Sequence, residues 1–214
     1  MTENAKPDSV RIEIAPRFSC GDWRALKERL SDDGRWESFE NPWKEAIRVI
    51  RSRIQERFLN CIDSLSSLRY AGFTVLAIDC LLLEAIQAFK RGYHTKNPKE
   101  SRAAYKGMLM KSPHFAPFFA DEQSVDDFYT YVRNSLLHDG ETRKGYLVKT
   151  KGNLLEKMSN GSVLINRRAF HHALCQEFTG YLGQLSDPIE KRLRKNLAAA
   201  IDGLCERSSV DWKN

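Results

Sequence analysis

The segment FTVLAIDCLLLEAIQAFK, residues 73–90, decides the fold of this chain. Apolar side chains would cover nearly the whole surface of a helix formed by this segment, and such a helix lies at the centre of a core. Two carboxylates, Asp79 and Glu84, interrupt the run, which argues against a membrane span. Because an unpaired buried carboxylate is costly, both should have partners, with Arg133 or His138 as candidates. Such a pair would be an ordinary ion pair at the edge of the core or a support for a site.

Helices before and after this segment are predicted to form a bundle around it. Asn41 and Pro42 give a strong helix start, the first as N-cap and the second at the first helical position. One long amphipathic helix is expected from there to about Leu68, because apolar residues recur at steps of three and four. Its apolar side chains are Ile47, Ile50, Ile54, Phe58, Cys61, Leu65 and Leu68. The other helices are expected at residues 22–30, 100–110, 124–138, 167–185 and 189–204. The third of these is expected to begin with Ser124 as its N-cap.

Two short strands, Tyr146–Val148 and Val163–Ile165, are predicted in the second half of the chain, with Asn160-Gly161 as turn residues. The connection between them, residues 149–162, is too long for a tight hairpin, so an excursion or flap is expected there. The predicted fold class is therefore mostly α. It is a bundle of five or six helices with a small β-hairpin insertion after the helix that ends at His138.

The chain is predicted to form one helical domain with two short flanking parts. Its length of 214 residues suits a single domain. Residues 1–40 would form an N-terminal arm and a short helix packed on that domain, with Val10–Ile14 as an edge strand or an ordered arm. The helical domain would span residues 41–205, and residues 206–214 would form a C-terminal tail.

Composition and charge set limits on the function. The net charge of +6 favours a polyanionic partner, although many basic proteins bind no nucleic acid. The five cysteines, odd in number and without a CxxC pair, are expected to be small buried side chains in a reducing cytosol. The N-terminus does not resemble a signal peptide, so a cytoplasmic location without membrane attachment is predicted. The sequence holds no glycine-rich phosphate loop, GxSxG or HExxH motif.

The segment FYTYVRNSLLHDG, residues 128–140, carries the strongest chemical pattern. Asn134 and His138 are four residues apart and share one helix face, with Arg133 on its flank. His138 falls in the last turn, where the helix dipole favours a cation. Gly140 suits the left-handed residue that ends a helix. The segment is therefore predicted to close a helix with three polar side chains together.

A guanidinium and an imidazole held together provide what cleavage of a phosphodiester without a metal ion requires. The guanidinium would stabilise charge on the phosphate, and the imidazole would move protons near neutral pH. Each residue alone has an ordinary explanation, Arg133 in a surface ion pair and His138 as a helix-capping residue. The occurrence of Arg133, Asn134 and His138 together at the end of one helix favours the functional interpretation.

The pattern Arg133-Asn134-x-x-x-His138, late in a helical bundle, resembles the signature of the HEPN superfamily. That signature is an arginine, often followed by a polar residue, and then a histidine after about four to six residues. Residues 133–138 carry the motif itself. The bundle around them extends the resemblance to about residues 42–205.

The resemblance implies a metal-independent endoribonuclease that needs no cofactor and acts on RNA as a homodimer, with one composite site. The RNA 2′-OH would attack the neighbouring phosphorus, with His138 as general base or acid. Arg133 would stabilise the phosphorane, and Asn134 would orient His138 or donate to a phosphate oxygen. Members act in toxin–antitoxin systems, antiviral defence or RNA processing, so an antitoxin or an activating partner is expected. Some antitoxins target a tyrosine two residues after the histidine, where this chain has Gly140.

The alternative is a non-catalytic helical module that binds RNA or protein. A basic face on the long helix and an aromatic connection before Ser124 favour it. The basic residues are Lys44, Arg48, Arg51, Arg53 and Arg57, and the aromatic ones are Phe115, Phe118 and Phe119. A solvated charged face and core packing explain the same residues. His171 and His172 lack the spacing of a metal pair and are expected to be surface or packing residues.

Overall fold

Helices dominate the structure, a computed structural model that describes residues 12–30 and 41–209, with side chains to residue 206. The mostly α fold predicted from the sequence is confirmed. The first residues of the predicted N-terminal strand and the end of the predicted tail lie outside the described residues.

The elements follow one another along the chain as a series of helices with two small groups of strands. The helices are α1 (Cys20–Glu28), α2 (Pro42–Ile54), α3 (Asn60–Leu65), α4 (Gly72–Arg91), α5 (Pro98–Leu109), α6 (Glu122–Phe128), α7 (Ser135–Asp139), α8 (Arg167–Ser186) and α9 (Lys191–Ser209). The strands are β1 (Glu13–Ala15), β2 (Phe18–Ser19), β3 (Tyr146–Lys149), β4 (Leu155–Lys157) and β5 (Val163–Asn166). A π-helical turn, Gln55–Leu59, joins α2 to α3, and another, Tyr129–Asn134, joins α6 to α7.

Helix α4 lies at the centre of the bundle, as its apolar sequence predicts. It packs against α5, α8 and α9, and buried residues such as Leu76 and Leu82 lie on different sides of it. In the described residues it is the one helix long and apolar enough to cross a membrane, and 56% of that stretch is buried inside the protein. The core helix of a folded globule has this composition. Gly92 ends the helix in the left-handed conformation, with φ of 85°.

Asparagine side chains start several of the helices. Asn41 accepts a hydrogen bond from the backbone N–H of Trp43 at 2.8 Å, and Asn97 accepts one from Glu100 at 3.0 Å. Asn166 caps α8 in the same way, as its position before the helical pattern predicts. The prediction of Ser124 as N-cap of α6 is wrong. Asp121 is the cap and Ser124 is the donor, because the carboxylate of Asp121 accepts the N–H of Ser124 at 2.7 Å.

The long helix predicted from Asn41 forms as one continuous run over residues 42–65, but its apolar face shifts partway along. Ile54 is buried, and the next buried positions are Leu59 and Ile62. The π-helical turn at Gln55–Leu59 inserts one extra residue, so the buried face continues one position later than a regular α-helix would give. For this reason the prediction that Cys61 is buried is wrong, and its side chain is exposed.

The β insertion differs from a simple hairpin. Strands β3 and β5 pair in parallel, with Tyr146 opposite Val163, and the connection between them supplies β4. The hairpin is formed by β4 and β5, which are antiparallel across a turn at Asn160-Gly161. Gly161 takes a φ of 83°, as such a turn requires. The insertion is therefore a three-stranded sheet of order β3-β5-β4.

Part of the predicted basic face of the long helix has a structural role. Arg53 donates a hydrogen bond to the carbonyl of Ile14, and Arg57 donates one to the carbonyl of Glu13 at 2.9 Å. These two arginines hold strand β1 against the helix, so they are not free to follow a nucleic-acid backbone. Lys44, Arg48 and Arg51 remain exposed on the same run.

The aromatic connection before α6 contributes mainly to the core. Phe115 and Phe119 are buried, while Phe118 is only partly covered. The ring of Phe115 packs on Phe170 of α8 with 5.0 Å between centroids, and Phe119 meets Phe128 edge-on at 5.4 Å. Phe115 and Phe119 are thus unavailable for stacking on nucleic-acid bases. Their contacts hold the connection against α8 and against the end of α6.

Candidate functional site

The helical run over residues 122–139 carries the motif, and we call it the motif helix. Its middle is the π-helical turn Tyr129–Asn134, which ends on the first two motif residues. The hydroxyl of Ser135 donates to the carbonyl of Thr130 at 3.3 Å, inside this wider turn. Such one-residue insertions in helices are frequent at functional sites. Gly140 ends the helix with φ of 73°, which confirms the stop predicted there.

Arg133 is held by a carboxylate and by its own neighbour in sequence. One guanidinium nitrogen donates to Glu84 Oε2 at 3.0 Å, and the other donates to Asn134 Oδ1 at 3.0 Å. Glu84 also accepts a hydrogen bond from the hydroxyl of Thr95. Glu84 therefore has Arg133 as its partner, as the sequence predicted for a carboxylate in α4. The guanidinium has a fixed orientation at the junction of α4 and the motif helix.

The surroundings of Arg133 keep it charged and leave it within reach of solvent. Its side chain is 21% exposed, and its guanidinium lies over the ring of Tyr129 at 5.3 Å from the centroid. Burial by itself would lower the pKa of Arg133, but nearby Tyr105 and Glu84 raise it. A cation that is partly desolvated and pre-oriented interacts more strongly with an anion than a cation on a mobile side chain does.

His138 lies apart from this network. Its side chain is exposed and makes no hydrogen bond or ion pair with any residue in the described part of the chain. Helix geometry still places it one turn after Asn134 on the same face. The structure thus brings Arg133 and Asn134 into contact, whereas the imidazole of His138 faces solvent and bonds neither of them in the described part of the chain.

A second cluster of titratable side chains lies on the opposite side of α4, where it meets α8. Asp79 is 0% exposed, and its Oδ1 lies 2.8 Å from His171 Nδ1. The other ring nitrogen of His171 lies 3.4 Å from the sulfur of Cys175. The second carboxylate oxygen of Asp79 has no hydrogen-bond partner in the described residues. The imidazole of His171 thus lies between a carboxylate and a thiol and contacts both.

The pKa values of this cluster reflect its burial and its hydrogen bonds. Burial raises the pKa of Asp79 to about 6, against the lowering effect of His171. Burial alone would lower the pKa of His171, but the hydrogen bonds with Asp79 and Cys175 outweigh it and raise the pKa to about 10. His171 is therefore an imidazolium at neutral pH.

Sequence reasoning missed this second cluster. Asp79 was expected to pair with Arg133 or His138, and that expectation is wrong for Asp79. His171 was expected at the surface or in packing, whereas it bonds a buried carboxylate; His172, beside it, is exposed. One signal was present in the sequence. His171 and Cys175 are four residues apart on a helix, the spacing at which side chains meet.

The stability of the fold should fall as pH rises from about 6.5 to about 10. In that range native His171 keeps its proton while the unfolded histidine has lost it, so raising the pH favours unfolding. Against His171→Gln, wild-type protein should be more stable by about 3 kcal/mol at pH 7, where both Asp79 and His171 are charged, the cost of breaking a buried ion pair. That difference should shrink towards pH 10. Urea unfolding of both proteins across this range measures it, and a difference independent of pH would contradict the assignment.

Comparisons with protein-family models, with curated proteins and with solved structures gave no match for this chain. Within the described ranges, no group of three or more His, Cys, Asp and Glu side chains is arranged to hold a metal ion.

Proposed function

We propose that this chain is a metal-independent endoribonuclease of the HEPN type, which acts as a homodimer. One observation carries the proposal. Arg133 is fixed by Glu84 and Asn134, and the exposed His138, which has no partner within the described chain, follows on the same helix. A pre-oriented cation and an exposed imidazole on one helix are the two groups that support phosphodiester cleavage without a metal ion.

The reaction we propose is an internal transesterification of RNA. The 2′-OH loses its proton and attacks the adjacent phosphorus, the P–O5′ bond breaks, and the products carry a 2′,3′-cyclic phosphate and a 5′-hydroxyl. His138 would take up or deliver a proton. Arg133 uses donors towards Glu84 and Asn134, and the other N–H groups of its five remain for phosphate oxygens.

A dimer would supply what one protomer lacks, because the reaction needs a base and an acid and one imidazole cannot be both at once. Two exposed leucines support such an association. Leu81 lies one helical turn before Glu84, Leu137 lies one turn after Arg133, and each is 45% exposed. Apolar side chains on both sides of the Glu84–Arg133 pair favour contact with a second copy there. The same proposal extends to a toxin or defence role with an antitoxin or activating partner.

The purified protein should cleave RNA in the presence of EDTA. Cleavage should leave cyclic phosphate ends, because the 2′-oxygen is the nucleophile, and it should stop at any linkage whose 2′-OH is replaced by hydrogen. Mass spectrometry of the fragments of a short RNA, with a matched substrate carrying one 2′-deoxy linkage, measures both. Loss of activity on chelation, or cleavage at the deoxy linkage, would rule out this mechanism. Binding of RNA without any cleavage would favour a non-catalytic module.

A further inference from the structure

The cluster of Asp79, His171 and Cys175 has no role in the proposed RNA chemistry. Cys175 holds the place of a nucleophile, His171 that of a group that moves a proton for it, and Asp79 that of a group that orients the histidine. The sulfur lies 3.4 Å from one imidazole nitrogen, and the other nitrogen lies 2.8 Å from a buried carboxylate. We propose that Cys175, His171 and Asp79 form a second, nucleophilic site at which the Cys175 thiol reduces small hydroperoxides.

The neighbours of Cys175 favour a nucleophile over a packing residue. An imidazolium beside sulfur is the kind of electropositive, partly exposed environment in which cysteines become reactive. Asp79 from α4 keeps His171 protonated, and Asp63 from α3 also faces the ring, with 3.8 Å between its oxygen and His171 Nε2. Asp63 is largely exposed, so solvent weakens its attraction, whereas Asp79 is fully buried.

The burial of Asp79 also supports a functional role for the cluster. A buried carboxylate with one oxygen unpaired costs free energy that an apolar side chain in α4 would avoid. Such groups concentrate where a neighbouring side chain must be held in one charge state and one orientation. His171 is the neighbour held here.

A hydroperoxide suits both the size and the chemistry of the site. Cys175 is only partly exposed, which admits a small reactant. The thiolate would attack one peroxide oxygen, an S–O bond would form and the O–O bond would break. The departing oxygen would take the proton of the His171 imidazolium. Sulfur is oxidised to a sulfenic acid, and the hydroperoxide is reduced to an alcohol or, for hydrogen peroxide, to water.

Cys61 in the same chain provides a reference for the reactivity of Cys175. Cys61 on α3 is more exposed than Cys175, and its thiol donates to the backbone carbonyl of Arg57 at 3.6 Å. If exposure decided reactivity, Cys61 would react first. If the imidazolium decides it, Cys175 reacts first. Cys80 and Cys205 are buried, so their labelling reports unfolding.

The test treats the native protein with hydrogen peroxide and a sulfenic-acid trap, and follows each cysteine by peptide mass spectrometry. Cys175 should be labelled at least about tenfold faster than Cys61, since its sulfur lies 3.4 Å from the His171 imidazole and access alone does not set the rate. His171→Gln should bring the Cys175 rate down to that of Cys61, and His172→Gln should leave it unchanged.

Two results would overturn the proposal. One is wild-type labelling of Cys175 at or below the rate of Cys61. The other is an unchanged Cys175 rate in His171→Gln, with Cys80 still protected so that the fold is known to be intact. If the variant unfolds, the wild-type ratio of the two rates decides the question without it.

Discussion

Replacing His138 by alanine should lower the rate of RNA cleavage by about 10²–10⁴-fold, the usual worth of a general acid or base. The melting temperature should stay the same, because the imidazole is exposed and has no partner within the described residues. Initial rates on a short RNA in EDTA, together with a thermal melt of each protein, measure both effects. Expression of the wild type should also harm a host that tolerates the His138→Ala variant.

His172 offers a matched control, since it is also an exposed histidine on a helix, and His172→Ala should keep full activity. Equal losses in the two variants, or a His138→Ala protein within about threefold of wild type, would contradict the role of His138. Arg133→Ala is a less clean test. It removes the cation that pairs with Glu84, whose side chain is only 16% exposed, and a mostly buried carboxylate without its counter-charge lowers stability as well.

The central helix and most helix starts could be predicted from the sequence because each depends on local chemistry. The apolar residues of α4 can only be satisfied in a core, and Asn41 and Asn166 cap helices through contacts two or three residues away. The glycine stop at Gly140 is local in the same sense. The pairing of Glu84 with a cation could also be predicted, because an unpaired carboxylate inside an apolar helix is costly.

The two π-helical turns could not be predicted. A prediction from the spacing of apolar residues assumes a constant number of residues per turn. The residue types in an insertion such as Gln55–Leu59 do not distinguish it from a regular helix. Its effect is visible at Cys61, which a regular helix would bury and the actual helix exposes. The turn at Tyr129–Asn134 has the same origin, and it changes the angle between Arg133 and the residues before it.

The second cluster was missed for a different reason. Asp79 and His171 are far apart in the sequence, and their contact depends on how α4 packs against α8. Charge complementarity shows that Asp79 needs a partner, but several side chains would satisfy it. The parallel pairing of β3 with β5 is another long-range fact of this kind, because strand patterns fix the faces of a strand and not its direction.

In the proposed dimer, a change at Leu81 should separate the two protomers and remove activity with them. In a two-fold dimer each substitution counts twice, so Leu81→Ser at the interface would lose about 2 kcal/mol per copy. A total of about 4 kcal/mol raises the dimer dissociation constant roughly 10³-fold. At protein concentrations below this raised dissociation constant, the variant should be monomeric and at least about 100-fold less active. Sedimentation velocity and cleavage rates over a dilution series measure the two together.

Ile189→Ser provides the comparison, because Ile189 is 84% exposed and lies in the connection between α8 and α9, outside the motif helix. It should remain dimeric and active. Activity that returns when Leu81→Ser is concentrated would show that the chemistry is intact and only association is lost. A Leu81→Ser protein that is monomeric and fully active would place the whole reaction in one protomer. His138 would then have to act with a group of its own chain, and the two-histidine division of acid and base would be wrong.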